Sequence, residues 1–138
     1  MLRMSVFPLF NSVILSTSLL LLSGCMGGSS DKFQPSLGQV KGTIKLNGQP
    51  LPNALVDFIP ASAGRMSSGT TDTSGVYTLS YDASNAGAAV GEHVVRISTK
   101  VGAVGDPEKV PARYNSTSEL KATVKAGDNT IDFNLEPK

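Results

Sequence analysis

The chain contains one cysteine, Cys25, and one histidine, His93, so the side chains best suited to bind soft metals or attack carbonyls each occur once. A protein zinc site needs three or four Cys, His or carboxylate ligands, and a Ser-His-Asp set needs a marked nucleophile beside its base. One imidazole with no thiol to spare builds neither. His93 stands in phase with Val95 and Ile97 in HVVRIS, the place of a packed or edge-strand histidine. The acids Asp72, Asp82, Asp106, Asp128 and Asp132 are scattered among turn signals, outside the register of a calcium loop, and read as turn makers. No catalytic residue, metal or cofactor is expected, and the chain reads as a non-enzyme. The remaining candidate for recognition is the stretch from Val101 to Ser118, the longest without strand character, which contains Arg113 and Tyr114. Loops of this length in small domains are often functional, and Arg and Tyr are enriched at interaction hot spots. Two readings stay open: a partner-binding loop, or an ordered crossover pinned by Tyr114 in the core.

Cys25 poses a sharper question, because it lies between a greasy run and a Gly/Ser run in LLLLSGCMGGSSDK. Upstream there is one positive charge, Arg3, then apolar sequence whose cleanest run is Val13 to Leu22. At a rise of about 1.5 Å per residue that run spans roughly half of a ~30 Å hydrocarbon layer, as in a secretory signal. An uncleaved anchor beginning near Val6 is diluted by Pro8, Asn11, Ser12, Ser16, Thr17 and Ser18. The tetrapeptide Leu22-Ser23-Gly24-Cys25 closely resembles the lipobox of bacterial lipoproteins: Leu, a small residue, Gly or Ala, then Cys. The resemblance implies signal-peptidase recognition through Leu22, Ser23 and Gly24, cleavage before Cys25, and a thioether-linked diacylglycerol on Cys25, usually with acylation of the new amine. At about 0.8 kcal/mol per buried CH₂, two or three acyl chains hold a protein on a bilayer where one does so marginally. The expected organisation is a signal peptide over 1–24, a lipidated flexible linker over 25–38 and one domain over 39–138. The membrane, through Cys25, is the expected partner. Met26 stands where Asp retains some lipoproteins at the inner membrane, which favours the outer membrane of the cell envelope.

Composition narrows the rest. With 138 residues there is room for one core, and 12 basic against 11 acidic residues leave no excess to steer the chain onto nucleic acid. A single cysteine makes no internal disulfide, so the fold must rest on apolar packing.

From Val40 the hydropathy alternates with period two, the signature of half-buried strands. Val40, Gly42, Ile44 and Leu46 precede an Asn47-Gly48 turn. Strands are then expected at Ala54 to Phe58, near Ser67 to Thr71, at Tyr77 to Tyr81, at His93 to Ile97, and as a closing pair, Leu120 to Val124 and Ile131 to Leu135, around a turn at Ala126 to Asn129. No segment after the leader carries helical apolar spacing with caps. The pattern predicts an all-β fold, an antiparallel sandwich of about seven strands. VKGTIKLNGQPLPNALVDFIP, GTTDTSGVYTL, VGEHVVRI and GDNTIDFNL, in this order, resemble the carboxypeptidase regulatory-like domain, an Ig-like, transthyretin-like sandwich found in many exported bacterial proteins. That resemblance rests on turn and core residues, so it implies a fold and implies no peptidase activity. The expected function is a lipid-anchored, non-catalytic envelope module with a structural, adhesive or protein-binding role. A carbohydrate-binding accessory lipoprotein is the alternative, weakened by the absence of Trp and the few aromatics. A small hydrolase ranks last. An envelope protein or a glycan is the expected further partner.

Overall fold

The longest apolar alternation, Leu37–Leu46, forms one ten-residue strand, β1, which buries Val40 and Ile44 and exposes Gln39, Lys41 and Lys45. The computed structural model describes residues 34–100 and 107–137, and Cys25 with its flanking tetrapeptide lies outside them. β1 begins two residues before the boundary expected at Gln39, because Leu37 and Gly38 already pair with Ala88 and Ala89. It is the shared strand of a six-stranded sheet. Along one side it pairs antiparallel with β2 (Gln49–Pro50), β5 (Val76–Thr78) and β6 (Ala88–Ala89). Along the other it pairs parallel with β9 (Gly127–Thr130) and β10 (Phe133–Leu135). The second sheet is antiparallel throughout, in the order β4 (Ser67–Thr70), β3 (Leu55–Pro60), β7 (Gly91–Ser98), β8 (Lys121–Val124). The chain is therefore the all-β sandwich that the alternation predicts.

The turns follow from their residues. Asn47 and Gly48 both adopt positive φ, 53° and 74°, the requirement of the two-residue hairpin whose twist matches its strands. Asp72 Oδ1 accepts the amides of Ser74 at 2.8 Å and Val76 at 3.0 Å, closing the loop that leads into β5. The buried Thr71 hydroxyl donates to the Leu51 carbonyl at 2.6 Å and accepts the Ala54 amide at 2.8 Å, so the connection between sheets has no idle polar group there.

Between the sheets lies a core centred on Phe58, whose ring meets those of His93 at 5.7 Å and of Tyr77 and Phe133 at 6.3 Å each. Val56, Leu79, Val95, Ile97, Val124 and Leu135 complete it from both sheets. Each such side chain contributes about 1.5–3 kcal/mol by leaving water, which is the main attraction between the layers.

Two features differ from the sequence pattern. The closing pair expected from Leu120 to Val124 and Ile131 to Leu135 is not a hairpin: β8 joins β7 in one sheet, β10 joins β1 in the other, and the chain crosses between them at Lys125–Ala126. Gly127, at φ 87°, makes the turn nearly alone, so Asp128 to Thr130 are already extended beside β1. The soft Gly/Ala loop contains β6, a two-alanine strand that pairs beside the start of β1. These short segments raise the strand count among the described residues to ten.

The crossing from β9 to β10 carries a close approach. The Ile131 carbonyl leaves the ladder and lies over Gly42, where a Cβ would stand only 1.8 Å from the oxygen. That oxygen accepts the Tyr77 hydroxyl at 2.6 Å, and the Asp132 carboxylate accepts the Thr43 amide at 2.7 Å. Burial, then the nearby Asp132 charge, pushes the Tyr77 phenol far above its ordinary range, so it stays a donor at any physiological pH. Gly42→Ala is expected to cost about 3 kcal/mol by forcing this carbonyl out. Tyr77→Phe, which leaves the carbonyl unpaired, should cost about 1–3 kcal/mol. Urea unfolding of both variants measures these losses, and a wild-type midpoint for Gly42→Ala would contradict the packing described.

Candidate functional site

The crossover between β7 and β8 holds the recognition residues suggested by the sequence. Its centre is one carboxylate. Glu108 accepts the hydroxyl of Ser98, the amide and hydroxyl of Thr99 at 2.9 Å each, the amide of Val110 at 3.0 Å and the side-chain amide of Asn115 at 2.8 Å. Partial burial pulls its pKa upward, but the donated hydrogen bonds from Ser98, Thr99 and Val110 outweigh that and bring it to about 2. An anion accepting five donors holds the end of β7 to both sides of a short 3-10 turn, Ala112–Tyr114.

Arg113 and Tyr114 sit in that turn, together, and face the end of the chain. The Arg113 guanidinium lies 4.8 Å from the centre of the Tyr114 ring and donates to the Glu136 carbonyl at 2.9 Å. The Tyr114 hydroxyl accepts the Glu136 amide at 3.4 Å, while its ring packs against the core. Both side chains therefore clasp the segment that follows β10.

His93 is 2% exposed, its Nδ1 3.1 Å from the Gly91 carbonyl and its ring against Phe58. Its Nε2 has no partner, nor has the hydroxyl of fully buried Ser67. Burial lowers the His93 pKa below the ordinary 6.5, against the opposing pull of the Gly91 carbonyl. Among the described residues no group of three or more His, Cys, Asp or Glu is placed to hold a metal ion. Asp82 is a turn maker, accepting the amides of Ser84 and Asn85 at 2.8 Å each and the Asn85 side chain. Asp132 does more than turn making, through its bond to Thr43. Asp106 and the residues of the Leu22–Cys25 tetrapeptide lie outside the described residues.

Glu108 escaped the sequence reading, because nothing in DPEKV marks which acid will collect donors from a strand ten residues back. The pairing of Ser98-Thr99, two hydroxyls ending a strand, was the available signal.

No family model matches the chain, and no curated protein does. Among solved structures it is similar to a DUF3823 family protein from Parabacteroides merdae, at 14% identity and a TM-score of 0.44. The match covers 75% of this chain and 46% of that one, so this chain spans less than half of that protein's length.

Two of the shifted groups, His93 and Glu108, set separate pH windows. The folded-state pKa of His93 lies below 6.5, so under that pH the unfolded chain binds a proton that the folded chain refuses. Stability is then complete above about 6.5 and falls as the pH drops toward the folded value. Glu108 is lowered from 4.5 to about 2, so its contribution is present above 4.5 and is lost as the pH falls toward 2. Urea midpoints measured across pH should show both losses, and His93→Leu should flatten the upper one alone.

Proposed function

We propose that this chain is a lipid-anchored, non-catalytic β-sandwich module of a bacterial envelope, held to its membrane through Cys25 and serving a structural, adhesive or protein-binding role. One observation carries the reading: Leu22-Ser23-Gly24-Cys25, set directly behind a short apolar run and ahead of Met26-Gly27-Gly28-Ser29-Ser30. The resemblance of the folded part to carboxypeptidase regulatory-like, transthyretin-like domains of exported proteins agrees with it, and such domains accompany activities located elsewhere.

Two structural features support a role without turnover. The one imidazole is packed against Phe58 inside the core, out of reach of a substrate. The loop that holds Arg113 and Tyr114 is fastened to its own chain at Glu108 and Glu136. A glycan-binding role is weaker. Sugar recognition uses exposed aromatic faces, whereas among the described residues Phe58, Tyr77 and Tyr81 are buried and Tyr114 and Phe133 pack against the core.

Cys25→Ala tests the tether. The variant should move from the membrane pellet to the soluble fraction of the host envelope, because nothing else in the sequence beyond the leader offers the two acyl chains that stable anchoring needs. Persistence in the pellet after washing would contradict the proposal.

A further inference from the structure

β1 is about 30 Å long and runs from one pole of the sandwich to the other. The pole at its Leu37 end receives the chain from Cys25. There the Val90 amide donates to the Ser36 carbonyl at 2.8 Å, and the Ala61 amide to the Glu92 carbonyl at 2.9 Å. This draws the loop Ala61–Met66 beside the Ala89–Val90 turn. Pro35, Ala63, Ala89 and Val90 line a shallow open groove between them. Three large hydrophobic side chains are markedly exposed among the described residues, and two of them, Met66 at 46% and Val90 at 41%, belong to this pole. Arg65 stands beside them with its guanidinium 5.7 Å over the Tyr81 ring. Arg65 and Lys125 are balanced there by Glu92 and by Asp82, whose carboxylate feels the Arg65 charge, so the charges of the pole nearly cancel.

We propose that this pole is the face turned toward the bilayer, with Val90 and Met66 resting at the level of the lipid headgroups. The proposal rests on the lipid tether at Cys25 and adds an orientation to it. Chain length supplies the reason. Eight residues separate Cys25 from Gln34, and a Gly/Ser-rich segment of that length has a root-mean-square reach of roughly 16 Å. That is about half the length of β1, so the Leu37 pole meets the membrane while the pole at Asn47 and Thr73 is held away. Two exposed apolar side chains are too few to bind a vesicle unaided, but a tether raises their local concentration at the surface and converts a weak contact into a preferred orientation. Near-zero charge at the pole makes the contact apolar and therefore insensitive to salt.

The test uses the full-length lipidated protein in phosphatidylcholine–phosphatidylglycerol vesicles. Cys25, once acylated, has no free thiol, so an introduced cysteine is the sole labelling site. Val90→Cys and Thr73→Cys are each labelled with an environment-sensitive fluorophore, and quenching by lipids spin-labelled near the headgroup is compared. The label at 90 should be quenched about threefold more than the label at 73, unchanged by salt, as expected for a side chain at the interface. Equal quenching at both sites, stronger quenching at 73, or a label at 90 untouched by lipid overturns the orientation while leaving the tether standing. Flotation of the same vesicles separates the two claims: protein that fails to float refutes the tether, and the orientation with it.

Discussion

The Ile131 carbonyl is the point on which the two ends of the fold depend. It breaks from the ladder between β9 and β10, crosses the bare Cα of Gly42 and is received by the Tyr77 hydroxyl. Asp132 then supplies the acceptor that the Thr43 amide would otherwise lack. No buried polar group is stranded by the exchange, which is the condition for breaking a strand inside a packed sheet. Because β9 and β10 are both parallel to β1 and only a short step apart, this exchange lets one long strand serve the closing segment twice.

The consequence for function lies in where polar groups are used up. Turn acids fasten turns, Glu108 fastens the crossover, and Arg113 with Tyr114 fastens the end of the chain. The buried imidazole is neutral and walled in by Phe58. Among the described residues, two of the three markedly exposed large apolar side chains, Met66 and Val90, lie at the Leu37 end of β1.

How much of this was legible in the sequence differs by level. Alternation marked β1, β3, β7 and β8, since one face of each is buried and a period of two leaves a direct trace. Asn47-Gly48 and Asp72 to Gly75 announced their turns, because positive φ and side-chain capping restrict residue type. Pairing was illegible for β9: Gly127 and Asp128 read as turn residues, and only the parallel partner makes them strand. β6 has two alanines and no pattern at all. The need for glycine at 42 is likewise invisible, since it is set by a carbonyl 89 residues away. Arg113 and Tyr114 were found as a pair by residue type, yet the partner they clasp, Glu136, belongs to a distant stretch. Cys25 is the opposite case, for its reading comes wholly from local sequence.

Intact-mass measurement of the protein extracted with detergent from its native membrane tests that reading most directly. The account predicts a chain beginning at Cys25 and heavier than its sequence by a diacylglyceryl group, with or without a further acyl chain on the amine. A mass equal to the unmodified chain with residues 1–24 still attached would contradict it.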